Sequence, residues 1–479
     1  MALFIEKFDN SFIKITGPYD EKELLSSYFK KPSKNFQHTP LYKSGAWDGT
    51  IKFFNKSTSL LPYGLNQKLF DFLEESEIEF ALSEELEDSL QPNDIFDFEE
   101  LALKGFKGTF EPKVYQLEGA KKALLAGRGI IEHGTGAGKT FINYLIINYL
   151  IQKGYTKILF IVPLVSLIAQ GLKDLKDYGL DLSLIGKYYG KEKDDSKIIT
   201  LGTWQSLSKN KKLLNSVQCV FLDEAHGGKA NEITKIMKEC TNTKYRIGCT
   251  GSMPDWEADK FAIIGSFGPI LDTVKTHQLI HKEKALSNLT VKVMNLHYPK
   301  DLKKTAKKYP DERDLIKSYE PRKKLVKHII SHYGKDKNTL ILFDHIEFGK
   351  EYFNYMKAFF PEKIFYWIEG TVKAEEREDI RLSANIEDNV LLFGSLGTTS
   401  TGINIPKIHN IIFLFIGKSS IKIKQSIGRG LRLHESKDKL LVFDIADNLK
   451  YSKGHLAERL KLYTVEKYPV EIYEIGDKK

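Results

Sequence analysis

Cysteine is scarce: three residues in a chain of 479. Cys219, Cys240 and Cys249 form no CxxC pair and no Cys/His ligand pattern, which excludes a disulfide framework and a zinc site. Each lies in or near an apolar run, where a reduced thiol packs as a small hydrophobe. Long hydrophobic runs are also missing. The start MALFIEKFDN lacks the apolar core of a signal peptide, and the most apolar helix candidate, 141–151, carries Asn143 and Asn148 and is too short to span a bilayer. These absences argue against membrane insertion and secretion. They point to a cytoplasmic protein, the host cytoplasm if the chain is viral. No short repeat or low-complexity tract appears.

What is present is an ordinary globular composition, 42% hydrophobic and 28% charged, with a net charge of +9. That excess suits a polyanionic partner, and it equally suits a plain lysine-rich surface. The length exceeds one compact core, so two to four domains are expected.

Residues 1–82 read as short strands and helices. FIKIT and TIKFF are strand-like, ELLSSYF has helical spacing, and Asp48-Gly49 reads as a hairpin turn between LYKSGA and TIKFF. The acidic run SEELEDSLQPNDIFDFEE, within 83–105, reads as a linker. Beyond it, apolar runs alternate with helical stretches. GRGII, KILFIVP, SKIITLG, SVQCVFLDE and YRIGCTG make one series of strands, and NTLILFDH, KIFYWIEG, NVLLFGS, HNIIFLFIG and KLLVFDIAD make a second. Such runs belong to parallel strands covered on both faces. The fold class is therefore α/β: two tandem parallel-sheet domains, 106–285 and 286–450, after a small α+β domain and before a C-terminal extension, 451–479.

The strongest chemical signal is Gly134-Thr135-Gly136-Ala137-Gly138-Lys139-Thr140, between the strand GRGII and the helix FINYLIINYLI. Glycines let backbone N–H groups close on phosphates, and the helix N-terminus adds its positive end. Lys139 would reach the β- and γ-phosphates of ATP, and Thr140 would place its hydroxyl on Mg²⁺. The general phosphate-loop pattern has its first glycine where this chain carries His133. A second signal is Asp223-Glu224-Ala225-His226 at the end of a buried strand, where an α/β sheet places ligand chemistry. Asp223 would bind the metal through water, and Glu224 would orient and deprotonate the water that attacks the γ-phosphate.

With those motifs in order, residues from about 110 to 450 resemble superfamily 2 helicases, which implies two RecA-like domains. Tyr115-Gln116 looks like the adenine-reading motif. The segment from Pro163 to Gln170 and the run Gly202-Thr203-Trp204-Gln205 resemble the strand-contacting motifs of the first domain. Thr250-Gly251-Ser252 matches the motif that couples hydrolysis to movement, a role that also takes in His226. In the second domain Asp344 lies in the fourth motif. Thr401 to Pro406 match the fifth, in which Gly402 and Asn404 would face the nucleotide; Asn404 stands where Asp is common. Gln425 to Arg432 match the sixth. Arg429 and Arg432 become arginine-finger candidates, with Gln425 beside them, because a planar guanidinium stabilises charge on a departing γ-phosphate. The resemblance implies ATP in an interdomain cleft and a strand path along Pro163, Gly202, Thr203, Trp204, Asp344 and Gly370.

The N-terminal run from Leu41 to Gly49, with Leu60 to Leu65, narrows the resemblance to phage UvsW-type helicases. That family remodels branched DNA: stalled forks, Holliday-type junctions, D-loops and R-loops, in recombination, repair and replication. It assigns the N-terminal domain, Trp47 included, to duplex DNA, with Lys30, Lys31, Lys34, Lys43 and Lys52 available for phosphates. The expectation is an ATP- and Mg²⁺-dependent DEAH-box DNA helicase acting as a monomer on forked duplex and single strands, with recombination or single-strand-binding proteins as possible partners. A chain beginning near Lys104 is then expected to keep its nucleotide chemistry. Two alternatives stay open: an RNA helicase or RNA-stimulated ATPase, and a non-hydrolytic DNA-binding or annealing protein, against which the intact Lys139, Asp223, Glu224, Arg429 and Arg432 stand.

Overall fold

A computed structural model describes residues 2–224, 230–399 and 405–476. The chain forms two compact units. The first comprises Met1–His133 with Gly138–Val274, and the second Gly134–Ala137 with Lys275–Lys479.

The first unit is built on an eight-stranded sheet. From edge to edge it runs Glu192–Lys193, Ile185–Tyr189, Ile199–Thr203, Ile158–Val162, Cys219–Asp223, Tyr245–Thr250, Arg128–His133 and Ile270–Val274. Every pairing is parallel except that of the short edge strand Glu192–Lys193. The five strands expected from the apolar runs form its centre. Ile270–Val274 escaped the sequence reading because it is half exposed and lacks an apolar run. The helix Lys139–Gln152 passes across this sheet with nearly every residue from Phe141 to Leu150 buried, as a helix apolar on all sides must be.

The expected linker is corrected here. Within 83–105, Glu84–Leu90 and Phe98–Ala102 are helices, and Leu86, Phe98 and Ala102 are fully or almost fully buried. Asn148, inside the buried helix, donates its side-chain N–H groups to the carbonyls of Leu101 (3.2 Å), Ala102 (3.0 Å) and Lys104 (2.9 Å). The acidic charges face water while Leu86, Phe98 and Ala102 dock. Composition alone does not separate those two faces.

The N-terminal segment carries the sheet Leu60–Pro62, Phe12–Thr16, Leu3–Lys7, Phe80–Leu82. Its core residues Ile5, Ile13, Ile15, Leu25 and Leu69 share one cluster with Phe261, which lies beyond the phosphate-loop strand in the chain. Arg246, 1% exposed, donates to Ser11 Oγ (2.8 Å) and to the carbonyls of Met237 (3.2 Å) and Cys240. Burial pulls its guanidinium down to about 10, which still leaves it charged near neutrality. The N-terminal fold is thus part of the first unit's packing. The hairpin expected between LYKSGA and TIKFF is also corrected: Thr50–Lys52 pairs antiparallel with Lys30–Pro32, and Pro40–Lys43 is a short helix capped by Thr39.

The second unit holds a seven-stranded, all-parallel sheet ordered Ile364–Ile368, Val390–Ser395, Asn338–Phe343, Ile408–Phe415, Lys439–Asp447, Asn288–Leu296, Val470–Ile475. The C-terminal residues are part of this unit, contrary to the extension read from the sequence. Val470–Ile475 is its edge strand, and the helix Lys450–Val465 is pinned by Arg459, bidentate on Asp444 at 2.8 Å for both contacts.

Two outcomes follow from this packing. Replacing Asn148 by Leu leaves three backbone carbonyls without their donor and should cost about 2 kcal/mol, read as a lower urea midpoint. A chain beginning at Lys104 loses Leu101 and Ala102 as partners of Asn148, Ser11 as a partner of Arg246, and the N-terminal residues packed with Phe261. It is expected to aggregate rather than keep ATPase activity, as size-exclusion chromatography would show.

Candidate nucleotide and nucleic-acid site

The phosphate loop leaves the strand Arg128–His133 and enters the helix Lys139–Gln152. Gly136 (φ 88°) and Gly138 (φ 80°) adopt left-handed backbone that a side chain would strain. A Cβ on Gly138 would also lie 2.3 Å from the Gln116 amide nitrogen. Gln116 therefore sits against the loop, and its Oε1 accepts the Lys113 N–H (3.0 Å). Lys139, 8% exposed, donates to the His133 carbonyl (3.2 Å), and its Nζ lies 4.0 Å from Glu224 Oε1.

Asp223 ends the strand Cys219–Asp223, and Glu224 follows at φ 55°, an unusual conformation for a residue with a side chain. The Glu224 N–H donates to Asp223 Oδ1 (3.1 Å). The Asp223 carboxyl is pushed up to about 7, first by burial and then by the charge of Glu224, while Lys139 pulls it down. A hydroxyl at Thr140 and a carboxylate at Asp223 are hard oxygen donors, and two adjacent acids in a buried place are what a divalent cation relieves. The donor set fits Mg²⁺, which takes one or two protein oxygens and completes its shell with phosphate and water.

The strand Tyr245–Thr250 lies between the loop strand and the Asp223 strand, with Thr250 opposite Glu132 and Cys249 opposite Asp223. Thr250 Oγ1 donates to the Ser252 carbonyl (2.8 Å), and Glu132 Oε1 accepts the Met253 N–H (3.1 Å). The turn 250–253 is thus tied to the strand that carries the phosphate loop. Glu132 was not singled out from the sequence, since an acid inside an apolar run gives no motif.

His133 is completely buried. Its Nε2 lies 2.6 Å from Asp272 Oδ2, its ring meets Tyr115 edge-on at 5.7 Å, and Gly119 makes room for it. Burial raises the Asp272 carboxyl, but hydrogen bonds from His133 and Lys122 outweigh it and hold the group below the usual carboxylate range. The departure from the phosphate-loop pattern is therefore compensated by a partner 139 residues away.

Pro163 and Trp204 follow neighbouring strands at their carboxyl ends, because Val162 pairs with Thr203. Gly202 is buried, and a Cβ there would lie 2.5 Å from the Tyr188 carbonyl, so this glycine serves close packing. Trp47 is half-buried and donates its indole N–H to the Thr50 carbonyl (2.8 Å), which makes it a brace within its own loop. In the second unit Gln425 is buried, and Arg429 lies in the last turn of the helix Ser420–Gly430 with Arg432 just beyond it. Asp344 Oδ2 accepts the Gly417 N–H (2.8 Å), and the exposed Gly370 accepts from Arg377 (2.8 Å). His226, Gly402 and Asn404 lie outside the described residues.

A profile of the family described as type III restriction enzyme, res subunit, matches residues 107–255. The ATP-dependent DNA helicase uvsW of Enterobacteria phage T4 is 28% identical over 98% of both chains. Its crystal structure superposes with a TM-score of 0.54 over 99% of both chains at 25% identity. The chain is thus similar to a phage DNA helicase over nearly its whole length, and it resembles the UvsW type. Putative helicase 22 of a Sulfolobus islandicus filamentous virus is 25% identical over 92% of this chain and 84% of its own length. A fragment of a putative HsdR subunit from Vibrio vulnificus has the same fold, with a TM-score of 0.60 at 18% identity over 80% of this chain and 72% of that one. Among the described residues no helix is long and apolar enough to cross a membrane.

The His133–Asp272 pair yields a stability prediction. His133→Leu leaves a nearly buried carboxylate short of a donor and should lower stability by about 1–3 kcal/mol at neutral pH. Because the folded Asp272 is shifted down, its contribution is fully present above the ordinary carboxylate range and lost as pH falls below it. The gap between parent and variant should therefore close in acid, as urea midpoints across pH would record.

Proposed function

We propose that this helicase hydrolyses ATP to drive movement on DNA and remodels branched duplexes, such as stalled forks, junctions and displacement loops. The observation that carries this reading is Lys139 at the phosphate loop facing Glu224 at the end of the Asp223 strand, in a chain similar to a phage DNA helicase over 98% of both lengths. In this reading Lys139 holds the β- and γ-phosphates. Glu224 orients a water and takes its proton as the oxygen–phosphorus bond forms, so that ATP and water leave as ADP and phosphate. Mg²⁺ bound by Thr140 and Asp223 would neutralise phosphate charge. Tyr115 and Gln116 are assigned to the base, Arg429 and Arg432 to charge developing on the γ-phosphate, and Thr250 with Ser252 to coupling. Asp223 through His226 would make this a DEAH-box enzyme. Pro163, Thr203, Trp204, Asp344 and Gly370 are assigned to the strand path.

Glu224→Gln should retain nucleotide binding and lose at least a hundredfold in kcat, whereas Lys139→Ala should weaken nucleotide binding. Arg429→Ala or Arg432→Ala should lower kcat by roughly a thousandfold with binding preserved. The deciding assay compares ATP hydrolysis on fork DNA, duplex, single-stranded DNA and RNA. Stimulation by RNA alone would replace the DNA reading, and normal turnover by Glu224→Gln would remove the assigned base.

A further inference from the structure

The antiparallel pair Lys30–Pro32 and Thr50–Lys52 carries a small lobe, residues 33–49, built around its own aromatic centre. Phe36 meets Tyr42 edge-on (4.7 Å, 83°) and covers Gly49, whose left-handed backbone (φ 77°) closes the loop. The Trp47 indole donates to the Thr50 carbonyl, and the Trp47 N–H to the Leu41 carbonyl (3.2 Å). The lobe is fastened at its root. Trp256 donates to the Pro32 carbonyl (2.7 Å), Lys31 pairs with Glu257 (3.2 Å), and Phe29 and Phe53 pack on Phe261.

Leu41 takes no part in that aromatic centre and is 60% exposed, and Tyr42, whose ring packs on Phe36, still shows 38% of its surface to water. Both lie on the short helix Pro40–Lys43. The charge of segment 33–47 itself is of one sign, and Asp259 outside it is the acid whose charge reaches Lys34. No Asp or Glu occurs between Ser33 and Trp47, while Lys34, His38 and Lys43 are exposed. Asp48, the acid that follows, is engaged by Lys30 (3.0 Å) and by Thr50. An apolar, aromatic tip with a cationic collar matches a surface that offers flat rings beside phosphates. An apolar protein surface would leave the lysines uncompensated.

We propose that Leu41 and Tyr42 stack on the bases at the branch point of forked DNA while Lys34 and Lys43 hold the flanking phosphates. The proposal rests on the DNA-helicase reading and adds to it the element that meets the junction. The root is packed on the helix Glu257–Phe267 and its approach, so the tip is anchored to the first unit. Base–aromatic stacking tolerates any sequence, as an enzyme acting at every register requires.

The test uses the full chain and a synthetic fork with 2-aminopurine at the branch pair, beside single-stranded DNA. Leu41→Ser with Tyr42→Ser should lose the 2-aminopurine response and slow fork opening on the order of tenfold. Its ATPase rate on single-stranded DNA should match the parent. Leu41→Glu alone, at an exposed position that places no demand on folding, should do the same. Lys34→Gln with Lys43→Gln should instead flatten the salt dependence of fork binding, by up to about two in log–log slope. Fork opening and 2-aminopurine signals equal to the parent in both apolar variants would overturn the proposal. A parent protein with no DNA-stimulated ATPase would instead overturn the reading on which it rests.

Discussion

The first unit depends on a helix that has no solvent face to spare. Lys139–Gln152 is enclosed by the sheet, by Val114–Ala126 and by the segment around Phe98, so its first residue, Lys139, emerges from a fixed point. A lysine whose backbone is set this firmly can hold phosphate without first being ordered, and the entropy of placing it is spent in folding rather than in each turnover. The surroundings follow from the same constraint. Asn148 must satisfy its amide inside an apolar layer and does so by docking the acidic segment. Cys249 donates its thiol to Asn143 (3.2 Å) in the same layer.

Around that fixed point the sheet orders the chemistry. The loop strand, the Thr250 strand and the Asp223 strand lie side by side, so one strand pairing and the Glu132–Met253 hydrogen bond join the loop strand to the turn 250–253. Glu224 sits at the exit with backbone outside the usual regions, and Asp223 beside it is held above its ordinary range. Strain and a disfavoured charge at the same point are features that ligand binding relieves.

Much of this was legible in the residues. Ten strands announced themselves as apolar runs, nine of them in sheet interiors, and Lys139, Asp223 and Glu224 did so as motifs bounded by a strand and a helix. The strands Ile270–Val274, Asn288–Leu296 and Val470–Ile475 did not: the first and last lie at sheet edges, and all three mix polar with apolar residues. Asp272 was invisible for the same reason. Trp47, read as a nucleic-acid contact, also braces its loop, while exposure of Leu41 and Tyr42 in the same run was not legible from the residues.

The sequence by itself determined the two parallel-sheet units, the phosphate loop and the acidic strand end, because those are set by local backbone patterning: strand periodicity, glycines at left-handed positions and a helix start. Tertiary structure alone decided what compensates His133, where the acidic segment docks and how the N-terminal lobe is held. Each of these rests on a partner far along the chain, such as Asp272 for His133, Asn148 for the carbonyls of residues 101–104, and Arg246 for Ser11. A side chain's burial and its hydrogen-bond partner are properties of the packed sheet, and no spacing in the sequence encodes which distant residue will meet it.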